Sequence, residues 1–324
     1  INNKTDGAIT LNDTTVALSG DATDLALALA GTINHEGAVT VITDSDYTLA
    51  ELKTINNGTD GAITLNDTTL ALSGDATDLA AALAGTITHT GAVTVTTDSD
   101  YTAAELLTIA GGTSGAITLN DTTVALSGSS SDLSTIFTET ITTHTGAVTI
   151  TTNSDYTIDQ LKTINNGTDG AITLNDTTVA LSGDATDLAV ALAGTINHTG
   201  AVTLTTDSNY TLSELKTINN GTSGAITLND STVALSGDAT DLAAALAGTI
   251  THTGAVTVTT DSDYTASELK TIAAATSGSI TLNDTTVALS GSSSDLSTIF
   301  SETITTHTGT VTITTDSVYT LSLI

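Results

Sequence analysis

Cysteine, proline, methionine, tryptophan and arginine are missing from this chain, and aromatic residues make up only 2% of it. Without cysteine there can be neither a disulfide nor a thiolate nucleophile or metal ligand. Without methionine the 324 residues are expected to lack their own translational start, so that the gene product extends beyond Ile1. Positive charge is nearly absent: five lysines stand against 36 acidic residues, for a net charge of −31. Such a chain repels a phosphate backbone, which excludes nucleic acid as a partner. No secretion signal and no apolar run of membrane-spanning length is visible in the segment. What remains is a vocabulary of Thr, Ala, Asp, Gly and Leu, the composition of an abundant exported bacterial surface protein. The charge keeps a long particle soluble by self-repulsion, and calcium or a cationic matrix would neutralise it.

The residues that are present repeat. Gly-Ala-Ile-Thr-Leu-Asn-Asp at Gly7–Asp13 returns at Gly61, Gly115, Gly170 and Gly224, and as Gly-Ser-Ile-Thr-Leu-Asn-Asp at Gly278. Six tandem repeats with a near-constant period of about 54 residues predict a solenoid in which each unit buries its apolar face against its neighbours. Repeats three and six share the variant Ser-Ser-Ser-Asp-Leu-Ser-Thr-Ile-Phe, at Ser129–Phe137 and Ser292–Phe300, which defines two super-repeats, 1–161 and 162–324. The chain stops just short of where the pattern would begin again, since Ile324 aligns with Leu269, ahead of the Lys270-Thr271 pair that precedes Ile272, the counterpart of Ile1. This predicts a segment of a longer repetitive polypeptide or a subunit whose ends meet head to tail.

Each repeat divides into a longer and a shorter coil, seen by setting Gly7-Ala-Ile-Thr-Leu against Gly37-Ala-Val-Thr-Val. Ile9 and Leu11 alternate with Ala8, Thr10 and Asn12, the period of a strand with one buried face, and Val39 and Val41 do the same. Thr14–Gly20 offers a further short strand. Thr48-Leu-Ala-Glu51 is a capping box, repeated as Thr102…Glu105, Thr157…Gln160, Thr211…Glu214 and Thr265…Glu268. Leu49, Leu52 and Ile55 then share one helical face, and Lys53 is placed in the last turn against the helix dipole. A second helix is predicted from Asp21 or Asp24 to Gly31. Strand, helix and strand in a repeating coil imply parallel strands and right-handed crossovers. The prediction is one continuous α/β solenoid over 1–324, leucine-rich-repeat-like, of about twelve coils and roughly 55–60 Å long at ~4.8 Å per coil. An all-β solenoid is the alternative.

Candidate site residues follow from the same copies. The Asp-Ser-Asp turns Asp44/Asp46, Asp98/Asp100 and Asp261/Asp263 offer hard oxygen ligands for weak calcium sites, although the pattern erodes to Asn153/Asp155, Asp207/Asn209 and Asp316/Val318. No other cofactor is indicated. The pairs Asn12-Asp13, Asn66-Asp67, Asn120-Asp121, Asn175-Asp176, Asn229-Asp230 and Asn283-Asp284 recur in every repeat and are read as a side-chain ladder or turn caps. Asp24, Asp78, Asp132, Asp187, Asp241 and Asp295 fit the first turn of a helix. One histidine per repeat, His35, His89, His144, His198, His252 and His307, is expected on a surface ridge or turn. At about 9–10 Å apart by strand spacing, neighbouring rings cannot share a metal. Thr94 with Thr96, and Thr257 with Thr259, form outward Thr-x-Thr pairs like those of ice-binding solenoids, but Ile42 stands where Thr96 does and breaks the lattice.

Units such as Ser73–Val95 followed by Tyr101–Leu106 resemble the repeat regions of very large secreted surface proteins of cyanobacteria and other aquatic bacteria. The resemblance covers the whole chain. It implies an extracellular fibre, sheath or adhesin-like stalk and carries no catalytic residues; the glycine-rich nonapeptide calcium motif of some such proteins is absent here. Repeats one and six keep the core residues of the interior and lack a polar cap, so both end faces are expected to be adhesive and complementary. The sequence therefore predicts a non-enzymatic extracellular filament whose partner is itself, with a calcium-stiffened adhesin stalk as the second choice and ice binding as the third.

Overall fold

The computed structural model describes all residues other than 1–3, 5–7, 43–45, 97–99, 139–140, 142, 152–154, 206–208, 260–262, 302–303 and 315–324. Among the described residues there are seventeen three-residue strands and eleven helices of seven to ten residues. The chain forms two compact units, one of Ile1–Thr152 with Asn166–Thr173 and the other of Asn153–Asn165 with Leu174–Ile324.

The first unit shows how the strands arise. Val39-Thr40-Val41 and Ile63-Thr64-Leu65 bury their first and third residues and turn the threonine outward, as alternation demands on a half-buried pleated surface. Leu18–Gly20, Val39–Val41 and Ile63–Leu65 pair in parallel, with Leu18 beside Val39 and Val39 beside Ile63. Leu72–Gly74, Val93–Val95 and Ile117–Leu119 repeat the arrangement. The second unit does so with Leu181–Gly183, Val202–Leu204 and Ile226–Leu228, and with Leu235–Gly237, Val256–Val258 and Ile280–Leu282. Every observed pairing is parallel, because a helix crosses back between consecutive strands.

Helices begin at Ala22, Leu49, Ala76, Ala103, Ser130, Ile158, Ala185, Leu212, Ala239, Ala266 and Ser293, an almost constant step along the chain. The strands keep unequal intervals, the step from Val39 to Ile63 being shorter than the step from Ile63 to Val93. The short Leu-Ser-Gly strand absorbs the difference, entering the ladder beside the next Val-Thr-Val. Helices of successive coils pack side by side within each unit. In the first unit Leu79, Leu83, Leu106 and Ile109 are buried, as are Val93 and Val95; in the second Leu188, Ile218, Leu242 and Leu246 are buried, as are Val202 and Val256. Parallel strands, crossover helices and tandem repetition make this an α/β solenoid; the helices set the all-β alternative aside.

The predicted capping boxes are present at Thr48, Thr102, Thr211 and Thr265, and Gln160 closes the same bonds at Thr157. The other helix type runs Ala22–Leu29 behind an Asp21 cap, with Gly31 at φ 88° just beyond its end. Lys53 is a correction: its helix continues to Asn57, so the lysine lies before the last turn and meets no helix terminus of its own.

Candidate functional site

The repeated polar residues converge on one place, the contact between successive coils. The histidines show this best. His35, His89, His144, His198 and His252 are 0–2% exposed, which overturns their expected place on a surface ridge. Each Nε2 lies 2.7–2.8 Å from the carbonyl oxygen of a residue in the preceding coil, Val16, Leu70, Val124, Val179 and Val233 respectively. A carbonyl only accepts, so the network assigns the proton to Nε2. Each Nδ1 lies 2.9–3.1 Å from the hydroxyl of a threonine in the following coil, Thr59, Thr113, Thr168, Thr222 and Thr276. That hydroxyl also accepts from the N–H of the glycine two residues on, at 3.0 Å. One imidazole thus ties three coils together. Burial pushes the pKa values of His89, His144, His198 and His252 down, against the opposing pull of the carbonyl bond.

Glycine lets the coils approach at this corner. A Cβ on Gly61 would meet the carbonyl oxygen of Gly37 at 1.9 Å, and one on Gly115 that of Gly91 at 1.9 Å. None of these four is at positive φ, so close backbone approach accounts for the residue type.

On the helical side, Lys53, Lys162, Lys216 and Lys270 pair with Asp78, Asp187, Asp241 and Asp295, each in the first turn of the next helix. The helix-start aspartates are therefore where the sequence placed them, and four of them have a second role that it did not show. Asp24 and Asp132 also occupy first turns. The capping glutamates reach backward as well: Glu51 accepts from Thr23 at 2.7 Å, and Glu105, Glu214 and Glu268 accept equally from Thr77, Thr186 and Thr240. The Thr23 hydroxyl, with the Thr48 amide, holds the Glu51 carboxyl below its usual range. Asn56 and Asn219 donate to carbonyls of the following helix, at 2.7 Å to Ala81 and 2.6 Å to Ala244.

Asp13, Asp67, Asp121, Asp176, Asp230 and Asp284 cap tight turns, each accepting from the amide and hydroxyl of the threonine two residues on. Tyr47, Tyr101, Tyr156, Tyr210 and Tyr264 donate to the backbone carbonyl of the aspartate 20 residues ahead. Burial, reinforced by that aspartate's charge, raises the first four phenols to about 12. The neighbours Asn12, Asn66, Asn120, Asn175, Asn229 and Asn283 are exposed; the amides of Asn66, Asn120, Asn229 and Asn283 extend the ladder to Val41, Val95, Leu204 and Val258.

Of the calcium candidates, Asp46, Asp100 and Asp263 are exposed, while Asp44, Asp98 and Asp261 lie outside the described residues. Among the described residues no three His, Cys, Asp or Glu side chains cluster so as to hold a metal ion. No helix of the described residues is long and apolar enough to cross a membrane.

No protein-family profile and no curated protein sequence matches the chain. Among solved structures it is similar to the leucine-rich repeat-containing protein LegL7 from Legionella pneumophila, at 15% identity over 76% of this chain and 83% of that one, with a TM-score of 0.18. The fold class stands on the parallel ladders and stacked helices described above.

Proposed function

We propose that the chain is a non-enzymatic structural protein that builds an extracellular filament, sheath or surface fibre by head-to-tail stacking of its coils. The supporting observation is that one bond set joins successive coils at constant offsets along the chain, from Lys53 to Asp78, from Thr23 to Glu51 and from His35 to Thr59, with the same steps in later copies. Such an interface presents one surface forward and a different, complementary surface backward. It accepts another coil of the same sequence indefinitely, which is how a heterologous contact generates a fibre. The charge of −31 favours separate, soluble particles over lateral clumping.

Electron microscopy of the purified 324-residue chain, with and without millimolar calcium, tests this. Fibres much longer than one chain in calcium-free buffer are the expected result. Discrete particles indifferent to calcium overturn self-assembly, and fibres that need calcium favour the calcium-stiffened adhesin stalk.

A further inference from the structure

We infer that the asparagine opening each Asn-Asp turn, Asn12, Asn66, Asn120, Asn175, Asn229 and Asn283, is an attachment site for an Asn-linked sugar. This concerns the decoration of the coils and stands apart from the filament reading.

Five of the six turns read Asn-Asp-Thr and the fifth in chain order reads Asn229-Asp-Ser231. Asn-x-Thr/Ser is the acceptor signal for N-glycosylation unless its middle residue is proline, which this chain lacks. The same triplet occurs at other places in the chain, so the sequence does not choose among its copies. The fold does. A transferase acting on the folded chain has to reach the carboxamide and the hydroxyl two residues on together.

At the Asn-Asp turns both groups are within reach. The six asparagines are exposed, and Thr14, Thr68, Thr122, Thr177, Ser231 and Thr285 are half-buried. Their hydroxyls make surface contacts: that of Thr68 lies 3.0 Å from Thr90, that of Thr177 2.8 Å from Thr199, and that of Thr14 donates to Glu36 at 3.1 Å. The turn holds its shape because the aspartate accepts from the threonine that follows, as Asp67 does from the Thr69 amide at 2.8 Å and hydroxyl at 2.7 Å. The asparagine is presented from a fixed edge, since the Asn66 amide donates to the Val41 carbonyl at 2.9 Å.

Elsewhere the same signal is blocked. Asn57-Gly-Thr59, Asn166-Gly-Thr168 and Asn220-Gly-Thr222 have exposed asparagines, but their threonines are only 6–8% exposed. Each of those hydroxyls sits against a buried histidine and accepts from a glycine amide. In Asn197-His-Thr199 the carboxamide is engaged by the Leu174 amide at 2.7 Å and the Leu174 carbonyl at 3.3 Å. In Asn209-Tyr-Thr211 the hydroxyl is a helix cap, donating to Glu214 at 2.8 Å. In the transfer itself the asparagine Nδ2 attacks the anomeric carbon of a nucleotide- or lipid-linked sugar diphosphate. The new C–N bond forms as the bond to the diphosphate breaks; the diphosphate leaves with the electron pair, and Nδ2 gives its proton to a base of the transferase.

Peptide mapping by mass spectrometry of the protein purified from the cells that make it tests this. Sugar on Asn66, Asn120, Asn175 and their counterparts, with Asn57, Asn166 and Asn220 bare, is the expected result. Bare Asn-Asp turns, or sugar borne equally by the Asn-Gly-Thr sites, overturn the inference. A second experiment isolates the effect of the fold. The folded, unmodified 324-residue chain, incubated with a soluble asparagine glucosyltransferase and UDP-glucose, should gain hexose at the Asn-Asp turns alone, whereas a proteolytic digest of it should gain hexose at both classes. Equal labelling of both classes on the folded chain overturns the selection. Thr68→Val should abolish labelling of Asn66 and leave Asn120 labelled, with circular dichroism checking the fold; labelling of Asn66 that survives the substitution overturns the role of the triplet. None of these results bears on whether the chain forms fibres.

Discussion

A buried imidazole can do what few other side chains can: donate to a carbonyl on one side while accepting a hydroxyl on the other. The five buried histidines hold three coils each in this way, and the neutral ring suits the site. Because burial depresses the folded pKa of His89, His144, His198 and His252 below the unfolded value of about 6.5, the unfolded chain binds more protons as pH falls. Stability is then complete above that value and declines as pH drops below it. Thermal melts from neutral to mildly acidic pH should show a falling Tm, in a window where the carboxylates still carry their charge. A flat Tm there would mean that the ring is protonated without cost, its Nδ1–H donating to the threonine while the hydroxyl turns to the glycine carbonyl, 3.3 Å away at Thr168. Glycine is equally constrained. Gly115→Ala places a methyl group 1.9 Å from the Gly91 carbonyl oxygen, an overlap that only a backbone shift relieves, at a cost of about 1–3 kcal/mol or more. Denaturant titration should show that loss, whereas Gly111→Ala, with open space around it, should be neutral or slightly stabilising.

At the scale of the element, a helix here is stabilised both by its own cap and by its neighbours. Thr211 closes a capping box with Glu214, and Glu214 in turn accepts from Thr186 one coil back. Thr211→Ala should cost about 1 kcal/mol. Lys216→Met, which breaks an ion pair with both side chains 37% exposed, should cost less than about 1 kcal/mol after solvent screening. Equilibrium unfolding of the two variants decides between them, and a larger loss from the lysine would show the inter-coil pair to dominate. The capping boxes were legible in the sequence because cap and partner lie three residues apart. Lys53 was misplaced because its partner, Asp78, belongs to the next helix, a separation along the chain that local helix rules do not span.

At the scale of the whole molecule the dominant fact is charge. With −31 spread over 324 residues, self-repulsion opposes the folded state, and monovalent salt screens it within a Debye length of about 8 Å near physiological ionic strength. Raising sodium chloride from low to moderate concentration should therefore raise Tm. A decrease would mean that the four Lys–Asp pairs outweigh the general repulsion, and differential scanning calorimetry measures the sign.

Period alone determined the architecture: near-identical copies recurring at a fixed interval, with two-residue alternation inside them, admit few folds other than a solenoid, and Ile9, Val39 and their counterparts already marked the core face. The capping boxes and aspartate turns were equally visible, since their bonds span two or three residues. Only the tertiary structure decided the histidines. Surrounded in sequence by Thr and Gly, His144 looks like a turn residue, and its partners Val124 and Thr168 belong to the coils before and after its own. Burial of a polar ring depends on whether distant groups satisfy it, and that is a property of coils stacked in space rather than of neighbours along the chain.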